Sequence, residues 1–312
     1  MAQAVTPAIL ALGEPMIEFN QTEAGKPAYL QGFGGDTSNA IIACARQGAS
    51  CGYITRLGDD DFGRMFLDLW RAEGVDTNGV GFDDQAHTAV YFVTHGSAGH
   101  SFSYLRRDSA ASRMTPAHLP AGLIRNARFL HVSGISQAIS QSARDTVAAA
   151  IVLARGAGVK VSYDTNLRLK LWPLDTARAV ITATIAEADY LLPSLEDLQA
   201  VSGLEAPDSI LDWCFRHGAT NVVLKCGRAG CIAATPTQRT PIAGHQVNAV
   251  DATGAGDCFD GAFLARLDAG DDLVTAARYA NAAAALTTTG FGAVAPLPRR
   301  AQVSSFLAAA LV

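Results

Sequence analysis

The residues best placed to do chemistry lie in one run, Asp251-Ala252-Thr253-Gly254-Ala255-Gly256-Asp257, with Cys258, Phe259, Asp260 and Gly261 behind it. Upstream, residues 246–250 alternate weakly and read as a strand end; downstream, 259–267 read as a helix that stops near Gly270. The glycines therefore fall where a turn feeds a helix N-terminus. Lacking a Cβ, Gly254 and Gly256 let backbone N–H groups approach a ligand closely. The first amides of a helix have no internal partner and carry the positive end of its dipole, a setting that suits a phosphoryl group. Asp257 adds a carboxylate at the same point. Amides from Gly254, Ala255 and Gly256 beside a lone acid predict phosphoryl transfer to a hydroxyl, with Asp257 as general base. A carboxylate at a helix N-terminus is expected to have a low pKa, making it a weak resting base. The competing reading is structural: a glycine turn with Asp257 as helix cap. A Walker loop does not fit, since no Lys-Ser or Lys-Thr follows the second glycine, and Phe259 stands where a dinucleotide fingerprint needs Gly.

A second run, Gly34-Gly35-Asp36-Thr37-Ser38-Asn39, precedes a helix predicted at 40–47. Its glycines let a polar ligand touch backbone, and Asp36 and Asn39 can hydrogen-bond hydroxyls, as a sugar would require. Here too a plain N-cap cluster competes.

These runs need a scaffold, and the chain is long enough to build one: 312 residues, 49% hydrophobic and 17% charged. Apolar runs at 8–13, 51–57, 129–132, 160–164, 190–192, 221–225 and 231–234 read as strands, with helical segments between most of them. That rhythm predicts one α/β domain over 1–312, with a doubly wound, mostly parallel sheet and helices on both faces. Residues 88–94 and 101–105 alternate differently and read as a hairpin, so a small β appendage is expected from about 14–33 and 86–108. The net charge of −5 leaves no basic footprint for nucleic acid. No apolar run is long enough to span a membrane, and no signal peptide is evident. The six cysteines include no Cys-x-x-Cys, which favours free buried thiols in a reducing cytoplasm. Trp70, Trp213 and Phe259 are assigned to core packing.

Together the two runs resemble the paired signatures of the ribokinase-like (PfkB) carbohydrate kinases, Gly-Gly-x-x-x-Asn and Asp-Thr-x-Gly-Ala-Gly-Asp, with Ala252 in place of the usual Thr. The resemblance covers essentially the whole chain. It implies an ATP- and Mg2+-dependent sugar kinase in which Asp257 is the base and Gly254, Ala255 and Gly256 form the anion hole. Within the family the resemblance runs to the 2-keto-3-deoxygluconate kinases. It is carried by Gly13-Glu14-Pro15-Met16-Ile17-Glu18, by Tyr104-Leu105-Arg106-Arg107-Asp108-Ser109-Ala110-Ala111-Ser112, by His131-Val132-Ser133-Gly134-Ile135 and by Asp164-Thr165-Asn166-Leu167-Arg168. It implies that Gly34, Gly35, Asp36, Asn39, Tyr91, Tyr104, Arg106, Arg168 and Asp257 meet the sugar. Arg106 and Arg168 would fork onto a sugar-acid carboxylate. The β appendage would be a lid and, through its sheet, a homo-oligomer contact. On the nucleotide side the resemblance implies Ser194, Lys225, Gly227, Gly230, Gly254, Gly256 and Asn281. Ser194 and Asp197 depart from the family's Asn and Glu; Asp197 is assigned a magnesium contact through water, and Asp251 a monovalent cation such as K+. The alternatives are a sister kinase for fructose or ribose, and a non-catalytic sugar sensor. A dinucleotide-dependent oxidoreductase is disfavoured by the missing fingerprint.

Overall fold

The computed structural model describes residues 6–96 and 99–309. Its main sheet starts from β1 (Ile9–Leu12), every residue of which is buried. Successive side chains of a strand point to opposite faces. Ile9 and Ala11 accordingly join one hydrophobic core, and Leu10 and Leu12 the other. An uninterrupted apolar strand is what a sheet covered on both faces demands.

The remaining strands are β2 (Met16–Gln21), β3 (Tyr29–Gly34), β4 (Cys51–Gly58), β5 (Asp76–Asp83), β6 (Ala89–Gly96) and β7 (Gly99–Leu105). They are followed by β8 (Phe129–Ser133), β9 (Lys160–Asp164), β10 (Tyr190–Leu191), β11 (Val222–Lys225), β12 (Gly230–Thr235) and β13 (Gln238–Ala243). The main sheet has nine strands in the order β13-β12-β11-β10-β9-β8-β1-β4-β5. All pairings from β11 to β5 are parallel, and β12 and β13 add antiparallel. The smaller sheet, β3-β2-β6-β7, is the expected appendage. Its outer pairs are antiparallel, but the seam between β2 and β6 is parallel. No helix among the described residues is long and apolar enough to cross a membrane. The cysteines are free thiols, and all but Cys226 are buried.

Three strands escape the sequence reading, β3, β5 and β13, and each lies at a sheet edge. Edge strands tolerate the Gly, Pro and polar residues that erase an alternating pattern; Gly79 and Gly81 in β5 and Pro241 in β13 do so here. Residues 246–250 form no strand. Both motif helices begin earlier than expected, at Asp36 and at Ala255. Gly261 explains how those helices lie side by side: a Cβ there would sit 2.0 Å from the Ala40 carbonyl oxygen. This contact brings the two motifs together above the carboxyl ends of the parallel strands, where open α/β sheets bind ligands.

Candidate functional site

Asp257 is the third residue of the helix Ala255–Asp268, so it does not cap it. The preceding position is Gly254, at φ 76°, with no side-chain cap. A Cβ on Gly254 would lie 2.8 Å from the Ala293 carbonyl oxygen, so the left-handed turn and the close approach both call for glycine. The N–H groups of Gly254, Gly256 and Asp257 meet no acceptor among the described residues, whereas Ala255 N–H donates to Ala252 O at 3.2 Å. The turn thus presents open donors to whatever anion occupies the cleft.

The helix Asp36–Arg46 supplies the opposite face. Asn39 Nδ2 donates to Asp257 Oδ2 at 2.8 Å, joining the two motifs directly. Asn166 Nδ2 donates to Asp36 Oδ2 at 3.1 Å. Asp36 Oδ1 and Asn39 Oδ1 are buried and accept no hydrogen bond among the described residues, although Ser133 and the Thr37 amide lie near enough to Asp36 to ease its charge. Unmet buried acceptors are costly, and two of them beside Asp257 fit hydroxyl donors such as a sugar carries. The site also revises the expected acidity of Asp257. Its carboxylate is only half-buried by surface, but it is crowded by protein. Desolvation, with Asp36 and then Asp164 adding, pushes it up to about 7, against the opposing pull of Asn39 and Lys225. Burial and like charge therefore outweigh the helix terminus, and the Asp257 carboxyl is held near neutrality, where a general base would need to be.

Lys225 does not end its strand in solvent. Its Nζ lies 3.0 Å from Asp260 Oδ1 and 3.2 Å from Asp164 Oδ2. Burial pulls this ammonium down, but the two carboxylates outweigh that and hold it charged. The other nucleotide-side residues lie close by but are largely engaged within the protein. Ser194 caps the helix Leu195–Ser202 by accepting from Asp197 N–H at 3.1 Å. Asn281 Nδ2 donates to Ala243 O at 2.8 Å. Gly230 is explained by the passing strand, because a Cβ would lie 2.0 Å from Ile242 O. Gly227 opens an exposed turn with free space around it. Asp197 Oδ2 accepts from Thr165 Oγ1 and Leu167 N–H at 3.2 and 3.0 Å, while no hydrogen bond among the described residues engages Oδ1. That free oxygen fits the water shell of a magnesium ion. Asp251 clasps two loops, Oδ1 accepting from Thr253 N–H at 2.9 Å and Oδ2 from Gly292 N–H at 2.9 Å.

On the small sheet, Tyr91 packs on Gly34, and its hydroxyl donates to Glu18 Oε2. Burial raises both Tyr91 and Glu18. Tyr104 stacks on Tyr91 with ring centroids 6.0 Å apart. Arg106 departs most from expectation. Its Nε donates to Glu14 Oε2 at 2.8 Å and its second nitrogen to the same oxygen, while Ser109 Oγ donates to Glu14 Oε1. Glu14 is fully buried, so Arg106 already has a carboxylate from its own chain. Arg168, by contrast, is exposed and among the described residues donates to Leu167 O, at 2.8 Å.

The sequence reading names Glu14, Asp164 and Asn166 only within family-like stretches, and it gives Asp260 no role. Asp260 was findable, since it stands three residues after Asp257, within one helical turn. The partnership of Asp164 with Lys225 joins two separate strands and leaves no local spacing to read.

The pfkB family carbohydrate kinase model matches residues 7–300. Fructokinase-1 of Oryza sativa subsp. japonica is 35% identical over 317 residues, covering 97% of this chain and 98% of the relative. A candidate Ribokinase II from E. coli, in complex with ATP and Mg2+, superposes with a TM-score of 0.90 at 25% identity, covering 97% and 99% of the two chains. A double mutant of the Vibrio cholerae O395 fructokinase, bound to fructose, ADP and potassium, gives 0.87 at 28% identity, covering 98% and 100%. With paired motifs, fold and site in register, the chain belongs to the pfkB family of carbohydrate kinases.

Proposed function

We propose that this kinase transfers the γ-phosphoryl group of ATP to the primary hydroxyl of a neutral ketohexose, with fructose the first candidate. The observation that carries the choice of a neutral sugar is the Glu14–Arg106 pair. A second carboxylate at Arg106 would have to displace a buried partner that also accepts from Ser109, and breaking a buried pair costs several kcal/mol. The similarity to fructokinases points the same way.

Asp36 and Asn39 bind and orient the hydroxyls, and the Asn39 bond holds the Asp257 carboxylate toward the acceptor. Asp257 takes the proton of the attacking hydroxyl. The open N–H groups of Gly254, Gly256 and Asp257 stabilise charge on the group in transfer. A magnesium ion held through Asp197 would neutralise the ATP phosphates, and K+ beside Asp251 is a further proposed ion.

A second reading, 2-keto-3-deoxygluconate as acceptor, keeps one favourable observation: Arg168 is exposed and, unlike Arg106, forms no salt bridge among the described residues. An ADP-release assay with Mg-ATP separates the two. The panel is fructose, ribose, 2-ketogluconate, 2-keto-3-deoxygluconate and its galacto epimer. A kcat/KM highest for fructose is expected. A marked preference for the sugar acids would overturn the neutral-sugar choice and return the carboxylate to Arg168.

A further inference from the structure

We propose that Lys225, fixed between Asp164 and Asp260 beneath the glycine turn, is a positioning residue that keeps Asp257 ionised and so sets the lower pH limit of catalysis. The inference rests on the reading of Asp257 as the base.

The geometry is specific. A Cβ placed on Gly256 would lie 3.7 Å from Lys225 Nζ, so the ammonium sits against the turn that carries Asp257. The groups facing Asp257 come from every side. Asp36 and Asn39 come from the helix Asp36–Arg46, and Tyr91 from the small sheet. Asp164 stands at the end of β9, Lys225 at the end of β11, and Asp260 on the helix of Asp257 itself. In that set Lys225 is the cation; Arg168 acts on Asp36 and Asp197. Without Lys225, Asp36 and Asp164 would act on Asp257 with no opposing charge.

The arrangement is also more than a way to bury an ion pair. One ammonium faces two carboxylates, and burial pushes Asp260 well above the ordinary carboxylate range, with Asp164 adding and Lys225 opposing. Lys225 thus sets its positive charge against both carboxylates at the turn that carries Asp257.

The test is the pH profile of kcat/KM, measured by ADP release with the fastest sugar of the panel for wild type, Lys225→Met, Lys225→Arg and Asp164→Asn. The acid limb is expected to move up by about one pH unit in Lys225→Met. It should return toward the wild-type position in Lys225→Arg and move down in Asp164→Asn. A purely structural Lys225 would lower activity or melting temperature and leave the limb in place, and that result overturns the proposal. Should Lys225→Met not fold, Asp164→Asn decides alone: a downward move upholds the proposal, and an unmoved or upward limb overturns it. Asp257→Asn separates the two ideas. Near-normal kcat there removes the base itself, whereas an inactive Asp257→Asn with an unmoved limb in the other variants removes only the role of Lys225.

Discussion

The two glycine turns are built alike and offer opposite chemistry. Each leads through a glycine at positive φ into a helix whose first turn carries an aspartate. The turn at 34–36 leaves side-chain oxygens of Asp36 and Asn39 without donors. The turn at 254–256 leaves backbone donors without acceptors. Under the proposed function, a sugar's hydroxyl donors would meet the first set and a nucleotide's phosphate oxygens the second. The Asn39–Asp257 bond is the point where the halves touch. Similar local sequence thus yields two different polar settings, and what distinguishes them is which groups the surrounding protein leaves unmet.

The sharpest way to break this division is at the junction. Asp257→Asn keeps the shape and removes the base, and kcat is expected to fall by about 10³-fold or more. In wild type, kcat/KM should fall about tenfold per pH unit below about 7, because only the ionised carboxylate accepts a proton. Stability follows the reverse course. The Asp257 carboxyl is raised from an ordinary 3.8 to about 7. Between those values the folded chain holds a proton that the unfolded chain has released, and this stabilisation is lost as pH climbs through 7. The Asn variant escapes that loss. At pH 8 it should be more stable than wild type, by on the order of 1–2 kcal/mol once residual solvent contact is allowed for. Denaturant unfolding at pH 6 and pH 8 checks the sign.

A smaller effect separates the halves themselves. Asp36→Asn should raise KM for the sugar by about 10- to 100-fold, the worth of a charge-assisted hydrogen bond, with KM for ATP nearly unchanged. An equal rise in both would mean that the turns do not serve separate substrates. The smallest effect is expected at Gly254→Ala. The left-handed φ and the nearby Ala293 carbonyl should cost about 1 kcal/mol of stability. Distorting the donors should lower kcat by about tenfold with KM for the sugar little changed.

Much of this architecture is legible in the sequence because both faces of the main sheet are buried. Strands such as Ile9–Leu12 and Val222–Lys225 must then be nearly all apolar. The edge strands β3, β5 and β13 are not legible, since half their hydrogen-bonding groups face no neighbour and their residues are free to be polar, Gly or Pro. In the site, Asp257, Asp36 and Asn39 stand out because glycine and helix starts mark them locally. The state of each charged group does not. Arg106 and Lys225 look like ligands in one dimension, and their partners Glu14, Asp164 and Asp260 become neighbours only through the fold. The acidity of Asp257 fails for the same reason: the helix terminus is a local cue, while the crowding that overrides it is not.

The Glu14–Arg106–Ser109 cluster bears on how the small sheet can move. Glu14 lies where the chain first leaves the main sheet for the small one, and Arg106 and Ser109 lie where it finally returns. A third crossing is held nearby, with Ala110 N–H donating to His87 O at 2.9 Å and Thr88 N–H to Asp60 Oδ2 at 2.7 Å. Fastened at its root in this way, the small sheet is tied to the main body at three chain crossings, so any displacement of it would have to be shared by all of its strands. Tyr91 and Tyr104, stacked and paired across neighbouring strands, would in that case move as a pair.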